Sequence, residues 1–290
     1  MSTLHYEAPS SVEAAVKLLA DAKGLAKILA GGTDLLVQMR SKVVKPGLVV
    51  DIKKIPDLGR VTVEADGSIR VGAAVPGAVL SEHAALIKAY PGFVEAVDLI
   101  GSTQIQGRAS AGGNLCNASP AADSVPAMIA AGAICTVAGP SGTRKVPAEQ
   151  IGIAPGRTSL QKGEFVVDFV FPARKPHSAD AYLRMIPRTE MDIAIVGAGV
   201  NLTLDRAGTI TEARVALGAV APTVLLVSEA AKAIVGGKLD DAALQRLDAA
   251  ARAACKPIDD KRGTIAYRTK VAGVLARRAA AIAYERARSN

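Results

Sequence analysis

The amino-acid sequence predicts an α+β protein of two domains, and three observations carry that prediction. The chain has 290 residues, enough to bury a sizeable core and to divide into roughly two domains. Half of the residues are apolar, yet only 3% are aromatic and none is Trp, so the core must be built from Ala, Val, Ile and Leu, which suits Val/Ile strands beneath Ala-rich helices. Beyond residue 177 the pattern runs as three strands and then three helices, the order of an α+β unit.

Each element has a local reason. Ser10-x-x-Glu13 reads as a capping box before Val12, Ala15, Val16, Leu18 and Leu19, an amphipathic helix. An apolar strand at Ala26–Ala30 leads through Gly31-Gly32-Thr33-Asp34 into a helix at Leu35–Arg40, and Leu48–Ile52 is a second strand. The opening 55 residues therefore form a small α/β unit. Val61–Val71 alternates around Asp66-Gly67, a hairpin signal. Helical stretches at Ala78–Ala89 and Phe93–Ile100 come next, then a Gly/Ser/Asn-rich segment, Gly107–Ser119, too long and polar to be one turn. Ser124–Gly132 is helical, Ala133–Ala138 is a strand closed by Gly139-Pro140-Ser141-Gly142, and Phe165–Phe171 is a strongly apolar strand. Arg174-Lys175-Pro176-His177 is charged and contains Pro, the mark of a linker. It divides the chain into 1–176 and 177–290. Strands at Ala181–Ile186, Ile193–Leu204 and Ile210–Val220 follow, the last two joined at Asp205-Arg206-Ala207-Gly208. Helices at Ser228–Val235, Asp241–Cys255 and Ile265–Arg288 complete the chain.

Charge and cysteine usage exclude several function classes. The net charge of +8 is uneven: residues 252–290 hold ten basic and three acidic side chains, leaving +1 for the other 251 residues. A basic tail can meet nucleic acid, a membrane surface or an acidic protein. With only Tyr267 and Tyr284 in it, it lacks the aromatic platforms of single-strand binding. Its last helix carries an apolar stripe of Val271, Val274, Leu275 and Ile282 flanked by arginines, which fits a solvated face or a contact with an acidic partner surface. Cys116, Cys135 and Cys255 are odd in number and widely spaced, which suits a reducing cytoplasm and excludes a four-cysteine cluster. The N-terminus lacks a signal-peptide pattern, and no apolar run approaches the ~20 residues of a membrane span. His5, His83 and His177 have no metal-ligand spacing, and no nucleophile elbow, P-loop or G-x-G-x-x-G strand-to-helix turn occurs. Gly197-Ala198-Gly199 lies inside a predicted strand and reads as close packing.

Two glycine pairs remain. Leu29-Ala30-Gly31-Gly32-Thr33-Asp34 runs from strand through Gly-Gly to helix, and paired glycines let consecutive N–H groups converge on an anion. Ser110-Ala111-Gly112-Gly113-Asn114-Leu115 offers the same backbone chemistry, with Asn117, Ser119 and Asp123 as a polar wall. Either pair alone is an ordinary turn signal. Together they favour a pyrophosphate clamp, hence a dinucleotide cofactor bound without a Rossmann loop.

Three motifs, in order, now carry a family resemblance. They are Ala30-Gly31-Gly32-Thr33-Asp34-Leu35-Leu36, the run Ser110–Asp123 (SAGGNLCNASPAAD), and Arg188-Thr189-Glu190-Met191-Asp192-Ile193-Ala194. Over essentially its whole length the chain resembles the FAD-binding medium subunit of molybdenum hydroxylases, the xanthine dehydrogenase and carbon monoxide dehydrogenase family. The resemblance implies a two-lobed FAD-binding domain of the vanillyl-alcohol-oxidase (PCMH) type, with lobes near 1–55 and 56–176. A C-terminal domain with a three-stranded antiparallel sheet and a helix bundle would follow.

Carried over position by position, the resemblance sets the FAD pyrophosphate against the backbone of Ile28, Leu29, Ala30, Gly31, Gly32, Thr33, Asp34 and Leu35. The second loop is Ser110, Ala111, Gly112, Gly113 and Asn114. Asp123 would hold ribityl or ribose hydroxyls, Val166 would pack by the flavin, and Ile100 would belong to the cofactor wall. Arg184 falls where relatives often have Lys near the isoalloxazine; the two cations differ in geometry. Ile193 falls where relatives place an aromatic ring or an Ile over the flavin, and an Ile shields without stacking. Asp192 is either a cap or, with Arg188, a gate to the flavin edge.

The function so implied is electron transfer: FAD takes electrons from [2Fe–2S] clusters on a small subunit, fed by a large molybdopterin subunit. It passes them to NAD⁺, a quinone, a carrier protein or O₂. A dimer of heterotrimers in the cytoplasm is expected, with FAD the only redox centre of this chain and no catalytic acid, base or metal ligand of its own. Two rivals are a self-contained flavin oxidoreductase with its own organic substrate and a non-enzymatic nucleotide-binding protein.

Overall fold

The computed structural model describes residues 4–290; the first three residues of the N-terminal stretch read above lie outside them. β1 (His5–Glu7) leads into α1 (Val12–Asp21). The cap of α1 is Ser11, whose hydroxyl accepts from the Ala14 N–H at 3.2 Å, so the helix signal sits one residue later than the Ser10-x-x-Glu13 box suggests. β2 (Ala26–Leu29), α2 (Leu35–Arg40) and β3 (Leu48–Asp51) follow. β1 and β2 both pair parallel with β3, which the helices between them allow, because parallel neighbours need a crossover.

β4 (Val61–Val63) and β5 (Ile69–Gly72) form the hairpin expected at Asp66-Gly67. α3 (Gly77–Ser81), α4 (Ala84–Ala89) and α5 (Pro91–Asp98) come next. The stretch Ala78–Ala89 is thus two helices: His83 interrupts it and caps α4, its Nδ1 accepting from the Leu86 N–H at 3.3 Å. α6 (Thr103–Gln106) precedes the Gly/Ser/Asn-rich stretch, α7 (Ala111–Cys116) is built from it, and α8 (Ser124–Ala130) lies where expected. β6 (Ile134–Gly139) turns through Pro140 into β7 (Gly142–Pro147). β7 has an exposed, polar sequence with no apolar alternation, so it leaves no strand signal. A small hairpin of β8 (Gly152–Ala154) and β9 (Arg157–Thr158) precedes β10 (Phe165–Phe171). The second sheet runs β4-β5-β10-β6-β7, and its central strand is the most apolar, as burial on both faces demands.

The remaining chain forms an antiparallel sheet of β11 (Ser178–Met185), β12 (Val196–Leu204), β13 (Ile210–Gly218) and the two-residue β14 (Leu225–Leu226). Three long strands were expected, and β14 adds a short fourth. β12 starts at Val196 rather than Ile193, because residues 187–194 form a loop in which Met191 takes φ +54°. α9 (Ser228–Lys232), α10 (Asp241–Ala253) and α11 (Ile265–Ser289) close the fold. Ala272, Ala276, Ala279, Ala280, Ala283 and Ala287 of α11 are buried in the core it shares with β12, small side chains that let a long helix lie close to a sheet. The scarce aromatics gather in the other core, where Phe93 meets Phe171 at 4.6 Å and Tyr90 meets it at 4.8 Å between ring centroids.

Most cations of the charged tail are ion-paired in place. Six of its ten basic residues have an acidic partner: Arg252 and Arg277 with Asp248, Arg262 with Asp192, Arg268 with Asp260, Arg286 with Glu95 and Arg288 with Glu285. The Arg174–His177 segment is likewise pinned. Arg174 donates to the Ala89 carbonyl, to Asn201 at 2.5 Å and to Asp180 at 2.6 Å, and its guanidinium lies 4.0 Å from the Tyr90 ring centroid.

Candidate functional site

The first glycine loop follows β2. Gly31 has no room for a side chain, since a methyl group there would overlap the Arg108 carbonyl oxygen, and Gly32 takes φ +80°. The Ala30 carbonyl accepts from the Lys53 ammonium at 2.9 Å, and Lys53 is held in turn by Asp51 at 2.8 Å. The strand end is therefore fixed, while the N–H groups of Gly31, Gly32 and Thr33 have no partner among the described residues.

The second loop opens α7. Ser110 caps the helix, its hydroxyl accepting from the Gly113 N–H at 3.0 Å, and Gly112 packs so tightly on Ala73 that a Cβ would overlap its carbonyl. Asn114 accepts from the Ser124 N–H at 3.2 Å and hydroxyl at 2.7 Å, tying α7 to α8. Asn117 accepts from the Gln38 amide at 3.0 Å, joining the second loop to α2. The N–H groups of Ala111 and Gly112 have no partner among the described residues.

Both loops line one cavity of about 460 Å³, within the ~300–1,000 Å³ of small-molecule and cofactor sites. Of the residues selected from the sequence, Ile28, Ala30, Gly31, Gly32, Thr33, Asp34, Leu35, Ile100, Ser110, Gly112, Gly113, Asn114 and Val166 line it. Five do not. Leu29 lays its side chain beside Gly32, and Ala111 is buried within α7. Asp123 and Arg184 pair with one another at 2.7 Å behind the wall. Ile193 stands in the 187–194 loop, half exposed to solvent.

The cavity also has lining residues that no motif marked. Leu19, Leu25, Ile52, Leu160 and Phe165 add apolar wall and Gln38 and Lys162 add polar contacts, while Asn117, expected as part of the polar wall, lines it as well. The Gln38–Asn117 bridge spans 79 positions of sequence, so only folding reveals it. β10 breaks register against β6 between Val166 and Asp168, an irregularity of the kind that re-aims a strand beside a site.

Electrostatics follow from burial. Asp34 is held above the usual carboxylate range by the cavity walls around it. Asp123 is pushed up to about 6 by desolvation, against which the Arg184 charge and the hydrogen bonds from Tyr182 and Arg184 act. Burial pushes the Cys116 thiol up to about 12, so it is no nucleophile at neutral pH. Among the described residues there is no group of His, Cys, Asp and Glu placed to hold a metal, and no helix is long and apolar enough to cross a membrane. The donor set fits FAD: unpartnered backbone N–H groups converge where a Cβ would intrude, as a pyrophosphate requires. The aliphatic walls at Ile28, Ile52, Ile100 and Val166 suit flat rings.

Comparison with known proteins agrees over nearly the whole chain. The family model described as the FAD binding domain in molybdopterin dehydrogenase matches residues 2–174, and that of the CO dehydrogenase flavoprotein C-terminal domain matches residues 181–283. The putative xanthine dehydrogenase FAD-binding subunit of Escherichia coli (strain K12) is 34% identical over 245 residues, 84% of this chain and 82% of that protein. The carbon monoxide dehydrogenase medium chain of Hydrogenophaga pseudoflava is 32% identical over 281 residues, 97% of each chain. A solved structure of carbon monoxide dehydrogenase from the same organism matches with TM-score 0.93 at 33% identity, covering 98% of each chain. Quinoline 2-oxidoreductase from Pseudomonas putida 86 matches with TM-score 0.89 at 26% identity, covering 99% of this chain and 98% of its own. The resemblance read from the three motifs, the α+β fold class and FAD as cofactor all hold. The chain therefore belongs to the FAD-binding medium-subunit family of molybdopterin dehydrogenases, and it is an oxidoreductase flavoprotein subunit of molybdenum-hydroxylase type.

Proposed function

We propose that this chain takes electrons from [2Fe–2S] clusters of a small partner subunit and hands them to an external acceptor: NAD⁺, a quinone, a carrier protein or O₂. FAD supplies the redox chemistry, since it exchanges electrons singly and stores them in pairs. The chain's own residues bind and shape. Backbone N–H groups of Gly31–Thr33 and of Ala111–Gly112 take the pyrophosphate charge, and Ile28, Ile100 and Val166 keep water from the rings. On this reading the two domains are 1–176, itself in lobes 1–55 and 56–176, and 177–290. The partners are a large molybdopterin subunit and a small iron–sulfur subunit, as a dimer of heterotrimers in the cytoplasm.

The observation that carries the reading is the cavity itself. It has two backbone anion cradles and aliphatic walls, and no His or Tyr among its lining residues, the side chains expected beside a flavin that acts on its own organic substrate. His is the commonest general acid or base of such an enzyme. The test is to purify the chain with and without its co-expressed partner chains and to follow the flavin absorbance after adding a substrate of the molybdenum chain. Bleaching of the flavin only in the assembled complex supports the reading. Turnover of a small substrate by the isolated chain would show a self-contained oxidoreductase instead, and absence of bound flavin would remove the reading altogether.

A further inference from the structure

Strand alternation gives β11 two different faces. Ala179 and Ala181 enter the core beneath α11, whereas Asp180, Tyr182 and Arg184 turn toward the FAD-binding half. Asp180 and Arg184 hold α5 at its two ends, and Tyr182 stands between them. Asp180 is buried and accepts from the Phe93 N–H at 3.0 Å in the first turn of α5. Arg184 donates at 2.7 Å to the Leu99 carbonyl just past its last turn, and at 2.7 Å to one oxygen of Asp123. Tyr182 donates its hydroxyl at 3.2 Å to the other oxygen of Asp123. α5 runs out into Leu99 and Ile100, and Ile100 is cavity wall.

The Gly197-Ala198-Gly199 run makes this arrangement fit. Sheet register places Gly199 beside Tyr182 and Gly197 beside Arg184. A methyl group on Gly197 would lie 2.5 Å from the Tyr182 hydroxyl, and one on Gly199 would lie 2.6 Å from the Pro126 carbonyl of α8. The two glycines clear a floor on which the tyrosine ring lies and on which α8 rests.

We propose that Tyr182 is a positioning residue for the FAD site, acting through Asp123, with Gly197 reserving the space its hydroxyl occupies. The proposal rests on the reading that FAD fills the cavity: Asp123, held behind the wall, fixes Arg184, whose guanidinium holds the Leu99 carbonyl beside the wall residue Ile100. Tyr182 and Arg184 each take one oxygen of Asp123, which leaves that carboxylate a single orientation. The site is buried, so no water replaces the tyrosine hydroxyl when it is removed, and the carboxylate is left short of a donor.

The full-length chain as wild type, Tyr182→Phe, Gly197→Ala and the double variant, each titrated with FAD, tests this. Affinity, the visible circular dichroism of bound flavin and the melting temperature are read together. Tyr182→Phe should raise the Kd for FAD by roughly threefold to tenfold, the worth of one hydrogen bond, and should change the flavin dichroism. Gly197→Ala should act in the same direction, and the double variant should fall short of the product of the two, because the colliding hydroxyl is already gone. A lowered melting temperature with Kd and dichroism unchanged in Tyr182→Phe means a merely structural tyrosine and overturns the proposal. Effects that multiply fully in the double variant overturn the role of Gly197, and Tyr182→Phe decides alone should Gly197→Ala not fold. A wild-type chain that binds no FAD overturns the underlying reading instead, a result plainly distinct from the others.

Discussion

Gly31 and Arg108 meet backbone to backbone: the space a Cβ would take on Gly31 is filled by the Arg108 carbonyl oxygen. The contact joins the loop after β2 to the segment before α7, so main chain sets the two anion cradles directly against each other. Gly31→Ala must force them apart, at a cost of about 1–3 kcal/mol or more, as overpacking does. Bound flavin per purified chain should fall sharply. Gly47→Ala, where a methyl group meets nothing within 4 Å, should keep full occupancy; equal flavin content in the two variants would count against the contact.

The Gln38–Asn117 hydrogen bond is a side-chain tie across the same cavity, at 3.0 Å. Gln38→Ala and Asn117→Ala should each weaken FAD binding by about 1 kcal/mol. Their double variant should cost little more than either, since one bond serves both. Isothermal titration with FAD checks this, and full additivity would show that the tie carries no cofactor affinity.

Asp123 sets a pH dependence. Its folded-state value of about 6 lies above the ordinary 3.8, so the native state binds that proton more tightly than the unfolded chain does. The resulting stabilisation is complete below about pH 4 and is lost as pH rises through about 6, on the order of 3 kcal/mol. Urea unfolding of the wild type and Asp123→Asn at pH 4.5 and pH 7 measures it. The wild type should lose stability relative to the variant between those two values, and parallel behaviour would refute the assignment.

Arg268 is the most buried arginine of the charged tail, 4% exposed, and donates at 2.7 Å both to the Ile195 carbonyl and to Asp260. Arg268→Ala leaves a buried carbonyl and a carboxylate without their donor and should cost about 3 kcal/mol. Arg278 on the same helix is exposed and has no ion-pair partner among the described residues, so Arg278→Ala should stay within about 0.5 kcal/mol. Thermal unfolding of the two variants separates them, and equal melting temperatures would refute the contrast.

Much of the site was legible locally. Backbone anion cradles advertise themselves through Gly-Gly at a strand-to-helix turn, and both loops came together in one cavity. The hidden parts are those whose signal is spread along the chain. Leu160, Phe165 and Gln38 carry no motif, because an apolar wall asks only for apolar side chains and a bridge only for two amides. Leu29, Ala111, Asp123, Arg184 and Ile193 fall within or beside motifs, yet they turn away from the cavity or stand behind its wall. Pairing along a motif says which segment is near, while side-chain direction is set by strand alternation and helix packing.

By itself the sequence determined the order of most elements, the two glycine loops and the scarcity of aromatics that leaves aliphatic walls. All of these follow from neighbours within a few positions, where periodicity and turn chemistry act. Only the tertiary structure decided what the charges do. A tail of +7 looked like a free basic surface, but six of its ten cations are ion-paired, with Asp192, Glu95 and Asp248 from outside the tail and Asp260 and Glu285 within it. The tertiary structure likewise turned a charged, proline-containing stretch into a clamp at Arg174 and a glycine run in β12 into the floor beneath Tyr182. Coulomb attraction and close packing depend on distance in space, and residues 95 and 286 become neighbours only once the sheet and the last helix have packed together.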